Sequence, residues 1–244
     1  MAEFDDDNEL AGGAALDGDA PSKGGLSDAL RPLASAGFTG VVRVARDGEP
    51  IGEAWLAGGR LYLATTATSD DLAGVVFGAD VGSLADVQAL LADDAGDTTA
   101  TLSEQYPASI PALGRLLHEH NLTALFEMMV AGPNSFDDDA QQMHPIGPRF
   151  AESVDDLLGQ AERRLLIWRD IATRIPSTSN RFRLAPELPP GVDERVFNAD
   201  EWRYLALIGG GRSVAELIDD TGERAFRIMT SLYRLLLEGV ITDA

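Results

Sequence analysis

Alternating apolar and polar residues indicate three short strands in the first third of the chain. Val42 and Val44 alternate with Arg43, which is the period-two pattern of a strand with one covered face. Asp47 and Gly48 follow, a dipeptide that favours a two-residue hairpin, and a glycine pair separates the second apolar run from the third. The pattern therefore predicts an antiparallel meander.

From residue 69 onward the pattern changes to that of helices. Ser83 followed by Asp86 resembles a capping box, with Asp in place of Glu or Gln. In the stretch over residues 111–132, the apolar side chains lie on one side of a helix before Asn121 and on the other side after it. The helix is either buried all round or broken near Asn121, and we expect the break.

A long helix with a regular apolar stripe follows the segment 132–150, which we interpret as a loop. This helix is predicted to begin at Ser153 and to end at Ile175, because Pro176 disfavours its continuation. Its apolar residues repeat at spacings of four and three, as in a heptad. We expect the stripe to pack against the protein's own core, with homodimer formation as the alternative. A stiff, proline-rich linker is predicted over residues 185–196.

The last part of the chain has the sequence signals of three short helices. Asn198 with Glu201, and Ser213 with Glu216, are both typical of helix starts. We predict a trihelical, winged-helix-like domain with room for one strand at most after its last helix. The predicted core residues are Trp202, Leu205, Leu217, Phe226, Met229, Leu232, Tyr233 and Leu236.

Basic residues share one face of the last predicted helix. On a helical wheel, Arg224, Arg227, Ser231 and Arg234 fall in about one quadrant. Such a face is typical of a DNA-reading helix, although Glu238 lies on it as well. Arginine also binds acidic protein partners, and a solvated face is a third possibility. These four residues are therefore candidates for contact with a partner or with DNA.

The charge of the whole chain argues against nucleic acid as a partner. The 244 residues include 40 acidic and 19 basic side chains, a formal net charge of -21. Phosphate backbones are bound by Lys and Arg, which displace counterions, so an acidic chain needs a strong local basic patch. No apolar run is long enough to predict insertion into a membrane, and no basic region precedes an apolar stretch at the amino terminus. We expect a cytoplasmic protein.

No catalytic, metal-binding or cofactor-binding group is predicted. The chain has no cysteine, which excludes thiolate chemistry. His118 and His120 are about 200° apart on a helix and cannot share a metal ion. His144 lies in a turn-rich segment, where we expect its imidazole to fix backbone hydrogen bonds. We find no phosphate-binding glycine loop or hydrolase motif, and we expect a protein that is not an enzyme and has no cofactor.

These patterns together predict an α+β fold, in which a small antiparallel sheet packs with helices and a winged-helix-like domain follows. The predicted parts are a disordered acidic tail over residues 1–25, an α+β domain over 26–184, the linker over 185–196 and a helical domain over 197–244.

The segment LASAGFTGVVRVARDGEPIGEAWLAGGRLYLATT resembles the beginning of PATAN domains, a bacterial family of unknown function. Further stretches, HPIGPRF, LLIWRDIATRIPS and RSVAEL, are similar to an actinobacterial form with a winged-helix-like tail. The matching residues of the first segment are Gly37, Phe38, Thr39, Gly40, Val42, Val44, Trp55, Gly59, Leu61 and Ala64. The resemblance implies an interaction module of bacterial signalling, linked to response regulators or small GTPase systems, without known catalysis.

The sequence thus favours a non-enzymatic adaptor that acts through protein contacts, and a DNA-binding transcription regulator is the alternative. In the adaptor hypothesis the first domain binds a protein partner. Trp55 and the hairpin at Asp47 and Gly48 are the candidate contacts for that partner. The terminal domain supplies a second contact or a dimer surface.

Overall fold

The computed structural model divides into two units, Met1–Arg163 and Arg164–Ala244. The ranges that it describes are 25–67, 71–93, 96–132, 135–187 and 196–244. Residues 1–24 of the predicted tail and 188–195 of the predicted linker lie outside them. The predicted α+β class is confirmed, since strands and helices both form extended parts of the chain.

The division between the units does not fall at the predicted linker. Ile171, Ile175 and Phe182 are all buried in the core of the second unit, although the sequence assigned them to the first domain. The apolar stripe of the predicted helix that ends near Ile175 was expected to pack inside the protein. This packing places the segment after Arg163 in the second unit.

The first unit contains a five-stranded antiparallel sheet. The predicted meander is confirmed, and its first turn has positive φ at Asp47 (53°) and Gly48 (86°), as a type I′ hairpin requires. The order across the sheet is β4-β1-β2-β3-β5. The strands are β1 (Gly40–Arg46), β2 (Glu49–Ala57), β3 (Arg60–Thr66), β4 (Ser135–Ala140) and β5 (Glu152–Ser153).

The strand β4 was not predicted, because the sequence SFDDDA was taken as part of a loop. Consecutive aspartates have low strand propensity, so the local signal is absent. Pairing with β1 supplies what propensity does not: Phe136 is buried opposite Val44, and Asp137 lies opposite Arg43. An apolar contact and a cross-strand charge pair thus stabilise a strand that its composition disfavours.

Helices cover the sheet of the first unit. The predicted capping box of Ser83 and Asp86 is confirmed at the start of the third helix. The longest two helices each contain 21 residues, and the second of them continues past Arg163. In chain order the helices are α1 (Leu26–Ser35), α2 (Leu72–Phe77), α3 (Leu84–Leu91), α4 (Thr98–Gln105), α5 (Ile110–Val130) and α6 (Val154–Arg174).

The expected break in α5 near Asn121 is wrong, since α5 is continuous. Its second half is buried almost all round, which explains why apolar residues occur on both sides of the helix. Asn121 is buried and polar because it binds the sheet. Its Oδ1 accepts the backbone N–H of Ala64 at 2.9 Å, and its Nδ2 donates to the carbonyl oxygen of Tyr62 at 3.3 Å. The side chain thus satisfies backbone groups of β3 that have no strand partner there.

The second unit contains three short helices and a two-stranded antiparallel sheet. Both predicted capping boxes, Asn198 with Glu201 and Ser213 with Glu216, are confirmed. Trp202 was expected in the core, but it is 61% exposed and makes an edge contact with the Phe197 ring. The elements are α7 (Ala199–Gly209), α8 (Val214–Thr221), α9 (Ala225–Leu237), β6 (Phe182–Leu184) and β7 (Ile241–Asp243).

The core of the second unit agrees with the prediction apart from Trp202. Leu205, Leu217, Met229 and Leu232 are buried, whereas Phe226, Tyr233 and Leu236 are partly buried against them. The single strand β7 follows α9, as expected, and it pairs with β6, which precedes α7.

Candidate partner-contact sites

The arginines of α9 are bound by carboxylates of the second unit. Arg224 is the N-cap residue of the helix, and the other members of the predicted face lie within it. Arg227 Nη2 donates to Asp200 Oδ2 at 2.6 Å, and its Nε lies 3.2 Å from Glu223 Oε2. The hydrogen bond to Asp200 and the charge of Glu223 raise the pKa of Arg227. The guanidinium therefore joins α9 to the start of α7.

The next arginine along this face makes a similar link. Arg234 forms an ion pair with Oε1 of Glu201, a residue that is only 2% exposed. The other oxygen, Oε2, accepts the backbone N–H of Asn198 at 3.0 Å and so completes the capping box of α7. One carboxylate oxygen of Glu201 thus serves helix capping, and the other pairs with α9. Removing either partner leaves a nearly buried carboxylate partly unsatisfied.

Glu223, just before α9, is the centre of the same network. It accepts a hydrogen bond from the Tyr204 hydroxyl at 2.5 Å. Two guanidinium groups also pair with it, that of Arg203 at 3.1 Å and that of Arg227 at 3.2 Å. Burial, together with the hydrogen bond to Glu223, raises the pKa of Tyr204, which therefore stays protonated as a donor. We name Asp200, Glu201 and Glu223 with Arg227 and Arg234 the arginine clamp.

The acidic residues and the arginines of this clamp are both visible in the sequence, but their pairing is not. Glu201 at the start of α7 was assigned to capping alone, and the arginines of α9 were interpreted separately. The structure brings the two sets together, because α7 and α9 share the buried core of the second unit. Ser231 lies on the arginine face and is half-buried.

The predicted partner contacts of the first unit are not all on its surface. Trp55 is 6% exposed, and its ring packs edge-on against His144 with the centroids 5.3 Å apart. A surface role for Trp55 is therefore corrected: the residue is a core side chain of β2. Asp47 and Gly48 are exposed at the tip of the β1-β2 hairpin, as predicted.

His144 fixes a backbone hydrogen bond, as the sequence suggested, and the other two histidines have settings that were not predicted. His144 Nδ1 accepts the backbone N–H of Ile146 at 3.1 Å, while the backbone N–H of His144 donates to the Tyr62 hydroxyl at 2.8 Å. Burial lowers the pKa of His144, which favours the neutral ring that this hydrogen bond needs. His118 Nδ1 lies 2.7 Å from Glu152 Oε2, and His120 is buried in α5.

An open cleft on the sheet was not foreseen from the sequence. Val41, Arg43 and Ala45 point to one face of β1, since successive side chains alternate. At Val41 this face is buried in an apolar cluster with α2 to α5, whereas Arg43 and Ala45 are only half-buried. The cleft there has a volume of about 550 Å³. Its lining includes the side chains of Arg43, Ala45, Ile51, Glu53, Thr65 and Asp137.

Carboxylates outnumber the arginine of this sheet cleft. The guanidinium of Arg43 lies 3.7 Å from Glu53, 3.7 Å from Asp137 and 3.4 Å from Asp139. Its Nη2 also donates to the side-chain oxygen of Gln142 at 2.6 Å. Burial and the negative charges of Asp137 and Asp139 raise the pKa of Asp138, the residue between them. The edge of the sheet beside the cleft therefore carries excess negative charge.

Metal-binding groups and membrane-spanning helices are both absent from the described ranges. Among those residues, no group of three or more histidine and carboxylate side chains is arranged to hold a metal ion. None of the helices formed by the described residues has the length and apolar character needed to cross a membrane.

No family model, curated protein or solved structure matches this chain.

Proposed function

We propose that the protein is a cytoplasmic, non-enzymatic adaptor of bacterial signalling that acts through contacts with other proteins. The arginine clamp is the observation that carries this proposal. The side chains that a DNA reader would extend toward phosphate and base edges are instead bound to Asp200, Glu201 and Glu223. The α9 face is thus a surface of compensated charge.

Energetics favour protein over nucleic acid as the partner of this face. Affinity for duplex DNA comes largely from cations that replace condensed counterions. The charge of Arg234 is already compensated by Glu201, a carboxylate that is almost wholly removed from water, so fewer counterions are released when a phosphate binds there. The net charge of -21 adds long-range repulsion from a polyanion. Both effects reduce binding to DNA and leave protein surfaces as the better match.

A DNA-binding regulator that uses Arg224, Arg227 and Arg234 is the second candidate. One observation favours it: the side chains of Arg227 and Arg234 are 64% and 53% exposed, although both are paired. An incoming phosphate could compete for such groups. The two candidates differ in their response to a reversed charge at Arg227.

A low-salt gel shift with a random duplex pool separates the two candidates. The full chain is compared with Arg227→Glu and with Arg174→Glu, a matched charge reversal at an exposed residue of α6. The adaptor proposal expects no enriched sequence in any of the three. An enriched motif that is lost in Arg227→Glu but kept in Arg174→Glu would establish the regulator instead.

Affinity capture from the source cells tests the adaptor directly. The full chain should retain a defined protein partner after high-salt washing, because specific interfaces rely mainly on buried apolar contacts rather than on screened charges. Nuclease treatment of the extract should not change the recovery. Recovery of nothing specific, or recovery that nuclease abolishes, would contradict the proposal.

A further inference from the structure

The sheet cleft combines an apolar floor with an acidic border. Ala45 and Ile51 contribute apolar side chains, and both are only half-buried. The cleft volume of about 550 Å³ is large enough for several side chains of a ligand. None of the described residues that line it belongs to a helix, so the floor is the open face of β1 to β4. A ligand can therefore approach the sheet directly.

The charge of the border selects the kind of ligand. Arg43 is the only basic residue among the described lining residues, and it already has Glu53, Asp137 and Asp139 as ion-pair partners. Three carboxylates around one guanidinium leave an excess of two negative charges. Asp137, with 80% of its side chain exposed, retains unfilled acceptor positions toward solvent. The cleft thus complements a cation.

The same charge excludes two other occupants. A second copy of this chain would bring a body of net charge -21 to an acidic border. Nucleic acid would meet the same repulsion along its phosphates. A ligand that has both cationic and apolar groups satisfies the border and the floor together, whereas a purely cationic ligand satisfies the border alone.

We propose that the sheet cleft binds a basic, apolar-anchored peptide segment of the partner protein. Lys or Arg side chains of the segment bind Glu53 and Asp137 on either side of Arg43, and a neighbouring apolar side chain contacts Ile51. This inference rests on the proposed adaptor function and assigns the partner's chemistry at that surface. Long cationic side chains suit this site, because their methylene stems cover apolar surface while the charged group stays at the rim.

Fluorescence anisotropy with three peptide pools tests the proposal. The first pool contains labelled seven-residue peptides in which Lys or Arg alternates with Leu, Ile, Val or Phe. The second replaces the apolar positions with Gly, and the third replaces the basic positions with Glu. Each pool is titrated with the full chain at low salt, where screening of exposed charges is weak. We expect the first pool to bind most tightly and the third not to bind.

Variants of the cleft decide whether the binding is local. Glu53→Gln with Asp137→Asn should weaken binding of the first pool about tenfold, since two exposed charge pairs are lost. Ile51→Ser should weaken the first pool but leave the second unchanged. The matched control is Glu104→Gln with Asp219→Asn, which removes two exposed carboxylates outside the cleft and should leave binding unchanged.

Two results of the peptide titrations would overturn the inference. One is failure of the first pool to bind, and the other is equal weakening by the cleft variant and the control, which would assign binding to acidity in general. Neither result affects the captured partner of the adaptor proposal. If capture succeeds equally with wild type and the cleft variant, the adaptor stands and the cleft proposal falls. If capture fails while the pool binds the cleft, the adaptor function falls, and only the preference of the cleft for basic, apolar peptides stands.

Discussion

Arginine and carboxylate groups meet in both units, but their burial differs. In the second unit, Arg234 binds Glu201, which is nearly inaccessible to water, and Arg227 binds Glu223, which is mostly buried. In the first unit, Arg43 lies among carboxylates that are substantially exposed. The buried set joins helices, whereas the exposed set borders a cleft.

Burial decides how much an ion pair contributes to stability. An exposed pair contributes between zero and about 1 kcal/mol, because water and salt screen it. A pair with one buried carboxylate is costly to break, since the remaining charge is left without compensation. We therefore expect the arginine clamp to stabilise the second unit, and we expect the carboxylates of the sheet cleft to contribute little to stability and to be available for binding.

The largest expected loss of stability comes from a buried neutral side chain, Asn121. Asn121→Leu leaves the Ala64 N–H and the Tyr62 carbonyl oxygen without their side-chain partner inside the first unit. We expect a loss of about 3 kcal/mol in unfolding free energy, which is the cost of leaving buried polar groups unsatisfied. Hydrogen exchange of peptides from β3 and α5, read by mass spectrometry, measures it. Gln105→Leu, at an exposed amide, is the control, and equal exchange in both variants would contradict the role of Asn121.

The second largest loss of stability is expected when the central carboxylate of the arginine clamp is neutralised. Glu223→Gln removes the charge that binds Arg203 and Arg227 and weakens the hydrogen bond from Tyr204. We expect about 2 kcal/mol of destabilisation, as for hydrogen bonds to a charged group. Exchange of α7 and α9 peptides should rise accordingly. Asp219→Asn, at an exposed carboxylate, should leave it unchanged, and a Glu223→Gln variant that matches this control would contradict the clamp.

A helix cap gives the third effect. Ser213→Ala removes the hydroxyl that accepts the Glu216 N–H and donates to the Glu216 carboxylate, and it should cost about 1 kcal/mol. Hydrogen bonds from Ser213 lower the pKa of Glu216, so the stability from this carboxylate is present at neutral pH and is lost as the pH falls through the lowered pKa. The variant removes the hydroxyl but keeps the backbone N–H of Ser213, which also donates to the Glu216 carboxylate, so exchange of α8 peptides should show a weaker but not abolished acid dependence. An unchanged acid dependence would mean that the hydroxyl does not contribute to the lowered pKa.

The smallest effect concerns the acidic strand and has the opposite sign. Burial and the charges of Asp137 and Asp139 raise the pKa of Asp138. A carboxyl group with a raised pKa favours the folded state most below its unfolded pKa, and this contribution is lost as the pH rises through the folded pKa. Asp138→Asn should thus stabilise the protein at neutral pH, by less than about 1 kcal/mol, and the gain should vanish in acid. A melting temperature that falls at pH 7 would contradict the assignment.

The elements predicted from sequence are those with strong local signals. The β1-β2 hairpin and the two capping boxes of the second unit depend on neighbouring residues, and each is confirmed. Three features depend on distant partners and were missed. The strand β4 is stabilised by β1, Asn121 is satisfied by β3, and the boundary near Arg163 follows from packing of the later part of α6.

The candidate site shows the same limit. A helical wheel correctly placed Arg227 and Arg234 on one face of α9, but it could not show that α7 supplies their counter-ions. Trp55 was taken for a contact residue because a lone aromatic in a strand carries no sign of which face is covered. The sheet cleft exists because helices cover only part of one sheet face, and no local pattern of β1 or β2 encodes where that cover ends.

A double-mutant cycle on Arg234 and Glu201 tests the central claim most directly. Glu201→Gln keeps the capping hydrogen bond to Asn198, because Gln also serves in a capping box, and Arg234→Met keeps the apolar stem. Hydrogen exchange of α7 and α9 peptides gives the stability of each variant, and the claim predicts a coupling free energy of about 1.5 kcal/mol. A coupling of zero within error would mean that Arg234 is an independent surface cation, and the account of a compensated α9 face would be wrong.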